Sequence, residues 1–508
     1  MTVQEGSIPV AVEASPASVI AFVAYLALVL GIGAWATRFS SAGVAEFFVG
    51  GRRMHRFVVA LSAVVSGRSA WLLLGVTGMA YARGASAVWS VVGYIVVELG
   101  LFLYYAPRLR RFSERHGCIT VPDFFAERFG DRSGLLRSVL AGVILVFMVG
   151  YVAGQFVGGG KAFAASFGLD PTAGMLVTAG IVLIYTVLGG FLAVSVTDMI
   201  QAIIMIVALA LLPVIAIAEL GGLGVLLREL AGAEPGLIDP LALSAGAAIG
   251  FLGIGLGSPG NPHILARYMS ISDPADLRVA AVVGTTWNVV MAWGALFIGL
   301  AGRALFPDVS LLPGADTENL YPLLARQHLP PALFGVVVAS IFAAIMSTAD
   351  SQLLVAASAV VRDVYEQVIH RGRAISQRRL VRLSRTAVTL LVLLALAFGL
   401  LADQLVFWLV LFAWAGLGAA LGPTSILALT WRRTTRAGVL AGVVVGTVTT
   451  VVWYLVPALK SRVYELVPAF LAATVATVAV SLCTRPPEAA EQLMQAMEGR
   501  AAAEPPAT

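Results

Sequence analysis

Long apolar runs, separated by short charged segments, fill most of this chain. A helix needs about 20 mainly apolar residues to cross the hydrocarbon core of a bilayer. Thirteen runs meet that length, at roughly 17–37, 57–82, 86–107, 138–160, 172–192, 194–218, 241–263, 279–302, 333–361, 386–402, 404–430, 436–457 and 463–483. Two of them are interrupted. The second breaks at Ser66-Gly67-Arg68-Ser69, with an arginine inside an otherwise apolar stretch. The seventh carries Gly253, Gly255, Gly257, Ser258, Pro259, Gly260 and Pro262. Unwound backbone at membrane depth survives only where it lines a cavity or is buried in protein. Two such breaks in corresponding positions of two halves point to the midplane binding site of a secondary transporter.

Spans two to six and seven to eleven form two groups of five, each opening with a broken span. Five is odd, so the groups have opposite orientation, which is the geometry of an inverted repeat. The predicted fold class is an all-α polytopic membrane protein of about 13 transmembrane helices. The expected organisation is an N-terminal extracellular tail and first span (1–37), a first repeat (57–218), a second, inverted repeat (241–430), two additional C-terminal spans (436–483) and a cytoplasmic tail (484–508).

Composition narrows the class further. Of 508 residues, 59% are hydrophobic and 12% charged, against about 25% charged in a soluble domain. Mean hydropathy is +0.91. The net charge of +5 suggests no nucleic-acid partner, because the basic residues lie between spans. With the N-terminus outside, 25 of the 33 Lys and Arg fall in cytoplasmic segments and 7 in external ones, leaving Arg68 within a span. That bias predicts a multi-pass plasma (inner) membrane protein, N-terminus out and C-terminus in. Met1 to Ala17 lacks the basic start of a cleavable signal peptide, so the first apolar run is expected to be retained. Residues 487–501 are expected to form a short surface helix and the rest of the tail to be disordered. No P-loop pattern is present, which argues against ATP-driven transport. Cys118 and Cys483 suit neither a disulfide framework nor a metal set. The five histidines fall in loops or at span ends, so an intramembrane enzyme is not expected. A channel would more usually show rings made by oligomerisation. His263 and Arg267, near the end of span seven, and Lys161, at the end of span four, are expected to be interfacial anchors.

Span nine holds a polar cluster, Met346-Ser347-Thr348-Ala349-Asp350-Ser351-Gln352. At about 100° per residue, Ala344, Ser347, Thr348 and Ser351 share one face. Two adjacent hydroxyls, with carbonyls freed by a broken helix, suit a hard monovalent cation. Bonding of these hydroxyls to the preceding turn, or between helices, is the competing explanation.

At these residues the chain resembles the sodium:solute symporter family, nearest to its sodium/proline symporter branch. The stretches that carry the resemblance are Phe47-Phe48-Val49-Gly50-Gly51-Arg52; Trp71-Leu72-Leu73 with Gly75 and Gly78; Leu135-Leu136-Arg137; Gly189-Gly190-Phe191-Leu192-Ala193-Val194-Ser195 with Thr197-Asp198 and Gln201; Pro262-His263-Ile264-Leu265-Ala266-Arg267; and Ala343-Ala344-Ile345-Met346-Ser347-Thr348 with Gln352-Leu353-Leu354-Val355. The resemblance implies a leucine-transporter-like five-plus-five inverted repeat, and symport of a small solute driven by Na⁺ through alternating access. It implies a Na⁺ site built from the carbonyls of Val65, Arg68 and Ala344 and the hydroxyls of Ser347 and Thr348. Asp198 matches an aspartate on the inner cation route. The solute is expected between spans two and seven, near Ser66, Gly67, Tyr151, Gln155, Ser258 and Asn261.

The chain departs from the family pattern at two places. Proline symporters of this branch carry an aspartate and then an apolar residue where Gly67 and Arg68 stand, and a Trp and a Tyr where Ile254 and Ser258 stand. A guanidinium beside the cation site should weaken Na⁺ binding, and a charge at mid-membrane is costly unless it is paired. Asp350, one turn beyond Ser347, is the first candidate partner and Glu98 the second. If Arg68 is paired, Na⁺ still binds. If the guanidinium replaces the cation, the carrier is Na⁺-independent or proton-coupled. Arg68 could also hold the solute's carboxylate, or snorkel into a wet vestibule. Broken-helix N-termini favour an anionic or zwitterionic solute, with an amino acid such as proline nearest by resemblance. The lipid bilayer is an expected partner; no obligate protein partner is.

Overall fold

The computed structural model describes residues 15–40, 43–371, 373, 375–401 and 405–499. The expectations for residues 1–14, and for the tail from 500 on, fall outside them. Among the described residues, ten helical stretches are long and apolar enough to cross a membrane, and the shorter apolar helices Arg56–Ser66 and Ala245–Gly260 belong to the two interrupted runs. The longest, Pro171–Glu219, has 49 residues. Straight, it would reach about 73 Å, more than twice the roughly 30 Å of hydrocarbon. It does not run straight: Gly190 takes φ 61° and ψ −171°, a conformation only glycine adopts without strain. The Tyr185 hydroxyl touches Thr197, twelve residues further on. The chain therefore doubles back, and the one element supplies two predicted crossings.

Both predicted breaks are present. Arg56–Ser66 stops at Gly67, and the helix restarts through Trp71–Val76 and Thr77–Arg83. Ser69 sits in the left-handed region at φ 53°, which costs a non-glycine residue about 1–2 kcal/mol. Two contacts hold it there: the Trp71 amide donates to Ser69 Oγ at 3.1 Å and the Ala70 amide to Gln155 Oε1 at 3.0 Å. These satisfy amides that a helix start leaves without partners.

In the other break, Ala245–Gly253 passes through a tight turn, Ile254–Gly260, to extended backbone at Asn261 and then to Pro262–Ser270. Pro262 stands at the first helical position, where a missing N–H costs nothing. The expectation that this span ends near His263 is corrected: proline restarts the helix there. His263 and Arg267 are consequently buried, at 0% and 1% exposure, and are not interfacial anchors. The helix Val406–Thr430 packs on this break. Trp414 Nε1 donates to Ile254 O at 2.8 Å and Ser425 Oγ to Pro259 O at 3.1 Å, which serves carbonyls the unwinding exposes. Glycine at 257 is needed for that approach, since a Cβ there would enter the Trp414 indole.

Polar latches close both ends of the bundle. Lys161, expected to be an anchor, instead bridges Asp316 at 2.7 Å and Glu318 at 2.6 Å. Glu318 in turn accepts from the Val406 and Phe407 amides, at the start of Val406–Thr430. The side chain is thus spent on an ion pair with a loop that sequence spacing does not place beside it. At the opposite end, Arg137 meets Asp123 and Asp363, and Arg362 also reaches Asp123. Burial alone would raise the Asp123 pKa, but Arg362 and Arg137 outweigh it and hold the carboxyl below its usual range. The expected surface helix of the tail appears as Ala490–Glu498 and lies on Ala106–Arg115, with Arg111 Nη1 donating to Met497 O at 3.1 Å.

Candidate functional site

The break of span two faces the break of span seven across a small buried cavity. Gly67, Arg68, Trp71, Tyr94, Tyr151, Ile254, Val410, Leu411 and Trp414 line it, and its volume is about 10 Å³. A larger cleft of about 480 Å³ lies beyond it, walled by Met79, Arg83, Gly250, Trp408, Arg462 and Tyr464 among others. Ile254 and Leu411 line both spaces, so the two adjoin at these residues.

Of the residues expected to bind the solute, Gly67 and Tyr151 line the buried cavity. The others are hydrogen-bonded into the breaks. Ser66 Oγ donates to Ala63 O at 3.4 Å, Gln155 caps the restarted helix, and Asn261 Nδ2 donates to Gly257 O at 2.8 Å. Ser258 Oγ points to Glu98 Oε1 at 3.5 Å. Asn261 Oδ1 and Gln155 Nε2 are buried without a protein partner, so each keeps one hydrogen-bonding position open.

Arg68 is 1% exposed and its partner is Glu98, not Asp350. Arg68 Nε also donates to Asn288 Oδ1 at 2.8 Å, and Asn288 Nδ2 donates to the same Glu98 oxygen, Oε2, at 2.7 Å. The guanidinium stacks on Tyr94, 3.8 Å from the ring centroid. The charge is therefore met by a carboxylate, an amide and an aromatic face, and snorkelling into a vestibule is ruled out. Glu98 was the second candidate partner; Asn288 carries no signal in the sequence beyond one amide in an apolar run.

Asp350 belongs to a separate cluster, deeper along the same bundle. Asp198 Oδ2 accepts from Ser62 Oγ at 2.6 Å and from Arg267 Nη2 at 3.3 Å. Arg267 also donates to Ser62 Oγ at 3.1 Å, to His263 O at 2.8 Å and to Ser351 Oγ. Ser351 Oγ contacts Asp350 Oδ1 at 3.1 Å. The guanidinium thus pairs with one buried carboxylate, Asp198, and reaches the second, Asp350, through Ser351, and Asp198 Oδ1 has no partner among the described residues.

Span nine, here Pro331–Ser358, packs against both halves of broken span two. Ser347 Oγ donates back to Ala344 O at 3.2 Å, as the bland explanation of these hydroxyls requires. Thr348 Oγ1 does not: it is fully buried and has no protein partner. The Val65 carbonyl accepts from the turn amides of Gly67 and Arg68, the latter at 3.0 Å, and the Arg68 carbonyl accepts from Leu72 at 3.1 Å, with its second lone pair remaining. A buried hydroxyl without a partner among the described residues and backbone carbonyls are oxygen donors of the kind a hard cation takes.

A model of the sodium:solute symporter family matches residues 47–446. The osmoregulated proline transporter OpuE of Bacillus subtilis is 36% identical over 478 residues, covering 93% of this chain and 96% of its own. A sodium/proline symporter of Staphylococcus aureus is 34% identical over 495 residues, covering 94% and 95%. Among solved structures, a substrate-bound, outward-open Na⁺-coupled sialic acid symporter superposes with a TM-score of 0.78 at 19% identity, over 93% of this chain and 99% of that one. At that identity the likeness speaks for the fold: a leucine-transporter-like bundle with broken helices.

Proposed function

This chain belongs to the sodium:solute symporter family, and on that premise we propose that it carries a small zwitterionic solute across the plasma membrane, drawn by Na⁺, with proline the first candidate. Its relatives are transporters, not enzymes. Residues 57–218 and 241–430 are the two inverted repeats that rock about the shared cavity, with the C-terminus cytoplasmic. The Na⁺ ligands are the carbonyls of Val65, Arg68 and Ala344 and the hydroxyls of Ser347 and Thr348.

The observation that carries this reading is the pairing of Arg68 with Glu98. A bare like charge one helical turn from Na⁺, about 5–6 Å, costs about 3 kcal/mol at an effective dielectric of about 20. A neutral Arg68–Glu98 pair removes most of that penalty, which favours Na⁺ coupling over a guanidinium acting as the resident cation. On the inner side, Arg267 pairs with Asp198 and reaches Asp350 through Ser351, a chain of polar groups that suits Asp198 and Asp350 to the path of a departing cation. The solute's carboxylate meets Arg68 and the broken-helix ends, and Ile254 and Leu411 must part to admit it.

A thermal-shift screen of the purified protein against amino acids, organic acids and sugars, with and without Na⁺, tests the assignment. Stabilisation by proline or a close cyclic amino acid, larger with Na⁺ than with choline, is expected. Stabilisation by sugars or dicarboxylates alone would replace the solute.

A further inference from the structure

One strongly charged cleft takes no part in transport as described. It has a volume of about 820 Å³ and lies between the start of helix Ala106–Arg115 and the start of Leu277–Leu305, at the arginine-rich end of the bundle. Tyr104, Arg108 and Arg111 stand on one side, at helical spacing. Pro274, Ala275 and Arg278 stand across from them, and Glu498 of the tail helix is the single carboxylate among the described residues of the lining.

The three arginines are only partly engaged. Arg108 reaches Glu498 at a long 3.7 Å, and its Nε is buried without a partner. Arg111 gives one N–H to a backbone carbonyl. Arg278 makes no hydrogen bond or ion pair with any described residue. Their neighbour Arg110 turns inward instead, onto Ile271 O at 2.7 Å and Ser272 O at 3.2 Å, and so fixes the two walls relative to each other. The cleft is therefore a preformed cationic site with free donors in the fork geometry that suits phosphate oxygens.

An apolar strip leads away from it along the same helical run. Val96 is 64% exposed, Leu103 40% and Tyr104 70%, and Val96 and Leu103 are seven residues apart on one face. The strip lies on an apolar crossing helix, with Tyr104 at the position of an interfacial ring. A soluble anion has no use for such a strip; an acyl chain does.

We propose that this cleft binds the phosphodiester headgroup of an anionic phospholipid, with its acyl chain along Val96, Leu103 and Tyr104. Basic clefts between crossing helices are suited to such headgroups. Glu498 competes for the same arginines from the tail helix.

The test measures the unfolding midpoint of the full-length protein in neutral detergent against added phosphatidylglycerol, phosphatidylcholine or inorganic phosphate. Phosphatidylglycerol should stabilise saturably, and the other two should not at matched concentration. Arg278→Gln and Arg111→Gln should each weaken the apparent lipid affinity about fivefold, the equivalent of about 1 kcal/mol per basic residue. Arg278→Lys should recover most of it, and Glu498→Gln should strengthen it. Arg278 has no partner among the described residues to lose, so its variant reports binding and not misfolding; an unchanged midpoint without lipid checks this. An undiminished phosphatidylglycerol effect in the Arg111→Gln, Arg278→Gln double variant would overturn the site. Equal stabilisation by inorganic phosphate would overturn the lipid as its occupant.

Discussion

A guanidinium at mid-membrane has to be met by a carboxylate or by water, and Arg68 is met by Glu98. Sequence separation along span nine favoured Asp350, because it lies one turn from Ser347. Which face of span three looks into the break is a property of packing and has no one-dimensional trace. The hydroxyls of Ser347 and Thr348 were legible, since polar side chains at helical spacing inside an apolar run stand out. Two predictions belong at this scale. Glu98→Gln strands a buried positive charge, so it should destabilise the protein by about 3–5 kcal/mol and raise the Na⁺ concentration for half-maximal uptake tenfold or more. Adding Arg68→Met should recover most of both, in a double-mutant cycle read by thermal unfolding and Na⁺ titration. A double variant no better than the single one would show that the pair is not what makes Arg68 tolerable. Thr348→Ala deletes a hydroxyl that bonds no protein group. It should leave the unfolding midpoint within a few degrees of wild type while raising the Na⁺ requirement at least tenfold; an unaltered Na⁺ titration would remove Thr348 from the cation site.

At the scale of elements, both breaks could be read from glycine and proline alone, because those residues state a backbone constraint directly. The direction of the proline signal was ambiguous. Pro262 counts among the interruptions of a span expected to end at His263, whereas it opens Pro262–Ser270, and the misplaced end puts His263 and Arg267 at the surface when they lie in the core. The restart leaves Arg267 to tie Ser62, Asp198 and Ser351, which come from three separate elements. The closeness of Val406–Thr430 to the second break could be anticipated only as a wealth of glycine. Gly257→Ala tests it. The added methyl would enter the Trp414 indole, so transport should fall by at least tenfold, and the paired Gly257→Ala, Trp414→Leu variant should regain part of it. Full activity in Gly257→Ala would mean that this contact opens during the cycle.

Across the whole molecule, the charge asymmetry of the loops was visible in the sequence, and so was the fold class, since apolar length and helix breaks are both local. Long-range pairs were not: Lys161 with Asp316 and Glu318 spans more than 150 positions, and an isolated lysine at a span end looks like an anchor. The orientation makes a direct prediction. In a Cys483→Ser background, Arg485→Cys should react with a membrane-impermeant maleimide in inverted vesicles and not in intact cells; the reverse pattern would invert the topology. The account as a whole turns on whether a chain with a compensated arginine beside its cation site still runs on sodium. Uptake of labelled proline into proteoliposomes, with an inward Na⁺ gradient or with Na⁺ replaced by choline, measures this most directly. Concentrative uptake with Na⁺ and its loss in choline are expected, whereas accumulation undiminished in choline would contradict sodium coupling and return Arg68 to the role of resident cation.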